Sequence, residues 1–256
     1  MLESRSSLSS TVESEPEVGS ELESIRANRR LGLAARLGPW SWQGRIFWLA
    51  VLSSIAWFLD KPLAQSNVAR DNLIVLSDLR DATRQFGEPM GLAWISLVIW
   101  VVDRTRRRPL LLAFVTVLIA SALVTNLKWM IGRERPKASG GETVFRGPTW
   151  FGEMDPDPSL PSGHTTVAFT FAFGLCRLYS KHRKLWLTFA VACAASRALG
   201  GAHFLTDVIF ASWLGWELGR LAWLSPFGRW IARRIDRRFP VSNRMPAWNW
   251  ELGFPA

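Results

Sequence analysis

The chain has 256 residues, 48% hydrophobic and only 20% charged, with fifteen Trp beside one Tyr, a composition foreign to an ordinary soluble domain. Thirty-one Lys and Arg against twenty-one Asp and Glu give a net charge of +10, which suits nucleic acid, an anionic membrane surface or an anionic substrate. Only two cysteines occur, Cys176 and Cys193, both within apolar segments, so neither a disulfide scaffold nor a cysteine metal cluster is indicated.

Residues 1–24 hold six Glu, one Arg, many Ser and no aromatic residue, too little apolar area to offset chain entropy. A disordered tail over 1–39, acidic and then basic, is expected. It lacks the basic patch and apolar core of a cleavable signal peptide, so internal segments must drive any membrane insertion. The mean hydropathy of +0.09 averages this tail with long apolar runs.

Six apolar stretches follow, at 44–59, 87–102, 109–127, 161–179, 185–199 and 203–223. The third, fourth and sixth approach the roughly 20 residues that cross a bilayer; the others gain support from Trp residues near their ends, as at interfacial anchors. Every second connection is basic: Arg29, Arg30 and Arg36 before the first stretch, Arg104 to Arg108 after the second, Lys181 to Lys184 after the fourth, and Arg229 to Arg238 after the sixth. Because Lys and Arg collect on the cytoplasmic side, the alternation predicts an all-α bundle of six transmembrane helices with both termini cytoplasmic. The charge-balanced segment 60–86 then lies outside and contains an amphipathic surface helix. The membrane domain is expected over 40–226 and a basic cytoplasmic segment over 227–256. A soluble helical protein with buried helices is the competing reading.

The outer connections gather the chemistry. Lys128, Arg133, Arg135 and Pro136 close the third stretch, Pro161-Ser162-Gly163-His164 opens the fourth, and Ser196, Arg197, His203 and Asp207 flank the turn before the sixth. A compact ammonium and two planar guanidinium forks suit a phosphate dianion, whereas snorkelling from helix ends is the plainer reading of any one of them. Ser162 is a candidate helix cap and Gly163 lets a ligand approach the backbone at a helix N-terminus. His203 and Asp207, four apart, share a helix face, so the carboxylate can hold one ring nitrogen and leave the other to attack. A carboxylate within an apolar helix suggests function by default. His182, in a basic turn, is assigned no role.

These residues resemble the type 2 phosphatidic acid phosphatase superfamily: Lys128 to Pro136 reads K-x6-R-P, residues 161–164 read P-S-G-H, and residues 196–207 read S-R-x5-H-x3-D. The motifs cover 128–207, and the helix pattern extends the likeness to 44–223. The resemblance implies a metal-independent lipid phosphatase without a cofactor. In it His203 is the nucleophile, Asp207 orients it, and His164 protonates the leaving group and activates water. Lys128, Arg135, Ser162, Gly163 and Arg197 hold the phosphate. Phosphotransfer to an alcohol and a vanadate haloperoxidase-like pocket share the pattern; a catalytically silent lipid binder is expected to keep the fold but lose a catalytic His, Asp or cation, and none is lost here.

The expected substrate is a lipid phosphate or diphosphate in the bilayer: a polyprenyl diphosphate, phosphatidylglycerol phosphate, phosphatidic acid or a lipid A phosphate. Glu88, Arg133 and Trp150 are further candidates for substrate contact, Trp150 in the loop from Lys137 to Leu160. The expected location is the plasma membrane of a bacterium, with the site on the external face. Nucleic acid is not an expected partner, because the cations are divided among separate loops.

Overall fold

The computed structural model describes residues 41–69, 74–150, 153, 157–238, 248–249 and 254–255. The expected tail over 1–39 lies outside them, as does most of the segment beyond Arg238. The chain divides into two units, 1–48 and 49–256; the described part of the first is the opening of helix α1.

The described residues are helical apart from loops and a two-residue antiparallel pairing, β1 (Trp248–Asn249) with β2 (Phe254–Pro255). Each apolar stretch is a helix: α1 (Trp42–Ala69), α3 (Pro89–Val102), α4 (Arg107–Ile131), α5 (Gly163–Leu178), α6 (Arg183–Leu199) and α7 (Leu205–Leu224). Two shorter helices, α2 (Ile74–Arg84) and α8 (Pro226–Arg238), are amphipathic. A run of arginines at helical spacing with Phe227, Trp230 and Ile231 between them explains α8, where the charge count alone predicts only a basic segment.

Among the described residues, α1 and α4 are each long and apolar enough to cross a membrane, and residues 80–102 form a third candidate bent by 69°. The bend falls at Glu88-Pro89, where proline enters at the first helical position and Glu88 is extended. Outward faces of the helices are apolar: Phe58 is 80% exposed, Val102 78% and Leu199 67%. Such surfaces belong in lipid, and the protein is an integral membrane protein.

Helix α5 is the centre of the bundle and packs on α4, α6 and α7. Its Ala168, Phe171, Ala172 and Leu175 are fully buried against Leu112 and Ala113 of α4, Ala190 and Cys193 of α6, and Trp223 of α7. Within lipid, apolar burial alone does not favour protein contacts, so close backbone approach carries much of the association. At Gly215 a methyl group would stand 2.3 Å from the Thr166 carbonyl oxygen. Thr170 uses that proximity, its hydroxyl donating to Gly215 O at 3.0 Å.

The two basic turns meet at one end of the bundle. Arg106 stacks 4.2 Å from the Tyr179 ring centroid, and Tyr179 Oη donates to Asp103 at 3.2 Å. The motif residues lie at the opposite ends of the same helices.

Candidate active site

Helix α4 ends where Gly132 adopts φ +61° and its N–H bonds Lys128 O at 2.8 Å, a left-handed C-cap. A side chain there would also strike Gly147 O at 2.1 Å. Beyond the cap the chain doubles back, with Arg133 bridged to Phe145 and Glu134 N bonded to Val144 O at 2.9 Å. That turn sends Arg133 inward and Arg135 toward the start of α5.

A cavity of about 420 Å³ opens there. Its polar end is formed by Lys128, Arg135, Gly163, His164, His203 and Glu88, and its apolar wall comes from α3 and α4. Lys128 Nζ donates to Pro158 O at 3.0 Å and Arg135 Nε to Asp157 O at 2.7 Å, so both cations are held by the loop before α5. Burial lowers the Arg135 pKa, opposed by the charges of Asp157 and Asp207.

The histidines are held by different devices. His164 Nε2 lies 2.8 Å from Glu88 Oε1, and Arg84 Nε approaches the same carboxylate at 3.2 Å. His203 Nδ1 sits 2.8 Å from the carbonyl oxygen of Ser159, which leaves Nε2 as its other ring nitrogen. Asp207 Oδ2 is 3.8 Å from His203 Nδ1, beyond hydrogen-bond reach. The expected direct contact is thus relayed: Ser159 Oγ lies 3.3 Å from Nδ1 and donates to Asp207. Asp207 also accepts from Phe204 N at 2.9 Å, so it completes the first turn of α7 as well.

Beneath His203 lies a buried charge cluster. Arg133 Nη1 donates to Asp207 at 2.6 Å and Thr206 Oγ1 at 2.7 Å, and Nη2 to Asp60 at 2.9 Å. The guanidinium stacks 4.0 Å from the Phe204 ring centroid. Asp60 also accepts from Thr206 N at 3.0 Å. Arg133 is 1% exposed and does not line the cavity; it touches Asp207 beneath His203, not the position proposed for substrate.

Other expected residues fall differently. Ser162 is the N-cap of α5, yet its hydroxyl makes no capping bond and accepts from Thr165 Oγ1 at 3.0 Å. Gly163 meets nothing nearer than Val124 Cγ1 at 3.8 Å where a Cβ would stand, so its backbone borders open cavity. Arg197 lines an adjoining cavity, which it shares with Arg135. Trp150 is 80% exposed and does not border either cavity. Its neighbour Phe151 and the loop acid Asp155 lie outside the described residues.

Sequence reasoning missed Asp60 and Ser159. Asp60 follows an apolar run directly, the signal of a costly intramembrane carboxylate, but the charge balance of 60–86 assigns it to an outer segment. Ser159, beside prolines in a loop, carries no pattern of its own. Among the described residues no group of three or more His, Cys, Asp or Glu is placed to hold a metal ion.

A helical membrane protein with cations and two held histidines around one cavity defines a class, the phosphoric-ester hydrolases of integral membranes. Residues 109–231 match the family model of the PAP2 superfamily. A lipid A 1-phosphatase of Rhizobium johnstonii is 26% identical over 238 residues, covering 82% of this chain and 94% of that protein. The lipid A 1-phosphatase of Rhizobium etli is 29% identical over 133 residues, covering 48% of this chain and 57% of that one. The fold is similar to the transmembrane PAP2 type phosphatidylglycerolphosphate phosphatase from Bacillus subtilis, with a TM-score of 0.50, 20% identity, and 76% and 94% of the two chains covered.

Proposed function

We propose that the protein removes a phosphate from a lipid headgroup through a phosphohistidine on His203, without a metal or cofactor. The observation that carries this reading is the pair of histidines lining one cavity, His203 held through Nδ1 and His164 through Nε2. His203 Nε2 attacks phosphorus and the bond to the lipid oxygen breaks, the oxygen taking a proton from His164. Water, losing a proton to His164, then attacks phosphorus and breaks the N–P bond to release inorganic phosphate. Lys128, Arg135 and the Gly163 N–H hold the equatorial oxygens, where charge concentrates in the transition state; Arg197 and Ser162 support them from behind. The Ser159 carbonyl fixes the His203 tautomer, and Asp207 stabilises the imidazolium.

The apolar wall from α3 and α4 suits an acyl chain that remains in the bilayer. A lipid A phosphate is the substrate we favour, because the similarity to a lipid A 1-phosphatase extends over nearly that protein's whole length. All six long helices cross the membrane in this reading, within a domain over 40–226. Both termini are cytoplasmic, and the site opens at the external face of a bacterial plasma membrane.

The test is phosphate release by the purified full chain from lipid A phosphate, phosphatidic acid, phosphatidylglycerol phosphate and a polyprenyl diphosphate in EDTA. Release is expected from at least one lipid, lost in His203→Ala and reduced by about three to four orders of magnitude in His164→Ala, the scale of general acid–base catalysis. Full activity of His203→Ala, or strict dependence on a divalent ion, overturns the mechanism.

A further inference from the structure

Helix α8 is set against the end of the bundle by its own first turn. Gly228 N donates to Ser225 Oγ at 3.0 Å and Arg229 N to the Ser225 carbonyl at 3.1 Å, the hydrogen bonds of a serine N-cap. A Cβ at residue 228 would stand 1.6 Å from the Ala222 carbonyl oxygen, so glycine lets the chain fold back onto the last turn of α7. The helix packs on α4 and α7, with Ala232 buried and Ile231 and Ile235 lying against the core.

The rest of its surface mixes two chemistries. Phe227 and Trp230 are exposed and stack on each other, ring centroids 5.9 Å apart at 16°. Arg233, Arg234 and Arg237 are exposed beside them, and the Arg234 guanidinium lies 4.8 Å from the Trp230 ring centroid. Against five Arg in the helix stands one carboxylate, Asp236.

Neither bulk water nor hydrocarbon suits this surface. Water would leave the apolar area of the stacked rings exposed, and hydrocarbon would strand the guanidiniums. The headgroup layer serves both: aromatic rings seat at its acyl boundary, while Arg stems lie along it and their forks reach lipid phosphates. A second copy of so basic a face repels the first, whereas an anionic lipid complements it. We infer that α8 lies in the headgroup layer at the end of the bundle remote from the histidines, and that it recruits anionic phospholipids there through Arg233, Arg234 and Arg237. None of these residues lines either cavity, so lipid recruitment at α8 is independent of the reaction at His203.

The test uses the full chain with the photoreactive p-benzoylphenylalanine in place of Phe227, in bilayers of equimolar phosphatidylglycerol and phosphatidylcholine with the same acyl chains. After illumination, the adducts on the protein are identified by mass. We expect phosphatidylglycerol to be captured about fivefold more than phosphatidylcholine, the worth of one basic side chain at a membrane surface. That preference should vanish in the triple variant Arg233→Gln, Arg234→Gln, Arg237→Gln and persist when the same three positions are changed to Lys, which retains the charge. It should also weaken between about 0.1 M and 1 M salt, as the screening length shortens.

Equal capture of both lipids beside the native arginines overturns the inference, as does a preference that survives in the Gln variant. Capture of a peptide, or of no lipid at all, overturns it too. A peptide adduct assigns the face to another segment of this chain or, where the adduct is a dimer, to a second copy. The melting temperature in detergent checks that the Gln variant folds. If it does not, the salt series on the native arginines decides alone, and a preference unmoved by salt overturns the inference.

Discussion

Arg133 holds two carboxylates at once, Asp60 from α1 and Asp207 from α7, through separate nitrogens of one guanidinium. The planar fork makes this geometry available, and a lysine, with a single charged nitrogen, lacks it. Removing the guanidinium strands two buried carboxylates, and breaking a buried pair costs about 3–5 kcal/mol. Arg133→Ala is therefore expected to lower the melting temperature of the purified protein sharply. In Arg133→Lys, which keeps the charge, kcat should fall more than KM rises, because Arg133 acts through Asp207 and has no place in the cavity. An equal loss in KM would indicate that it touches substrate. This cluster was the least legible part of the site: nothing in sequence spacing ties Asp60 to a residue 73 positions later. The motif cations and histidines, by contrast, stood out because their types and order carried the phosphate chemistry directly.

Helices α5 and α7 carry His164 and Asp207 respectively, and their separation is set by small residues. At Gly215 an added methyl would meet a backbone oxygen, which cannot rotate away. Gly215→Ala must therefore push the helices apart, and overpacking of this kind costs about 1–3 kcal/mol. Melting temperature and phosphate release should fall together in this variant. Unchanged values in both would mean that the close approach contributes nothing. All six helices were readable as apolar runs, but their ends were not. Helix α1 runs ten residues past Leu59, the end of its apolar stretch, to Ala69, since polar residues continue a helix once its first turns exist. Hydropathy also missed the break at Glu88-Pro89, and that break is what delivers Glu88 to His164.

At the scale of the molecule, the basic turns around Arg106 and Tyr179 and the histidine cavity occupy opposite ends of the bundle. The adjacency of Arg106 and Tyr179 brings two of the basic turns together, while Lys128, Arg135 and both histidines line a cavity at the far end. With the basic end cytoplasmic, a reporter fused after Phe86 should read external and one fused after Arg107 cytoplasmic. The opposite pattern inverts the proposed orientation. Loop charge is a local property and so carries the orientation as an expectation in the sequence, whereas the geometry of the site depends on how distant segments pack.

The tie between Asp60 and Arg133 also bears on biogenesis. Helix α1 leaves the ribosome before α4 and the loop that follows it, so its carboxylate must wait for a counterion encoded 73 residues downstream, roughly 4 to 15 s at ordinary rates of synthesis. During that interval the Asp60 carboxylate lacks the guanidinium that pairs it in the finished fold, so this tie between α1 and the loop after α4 closes only once both have been made.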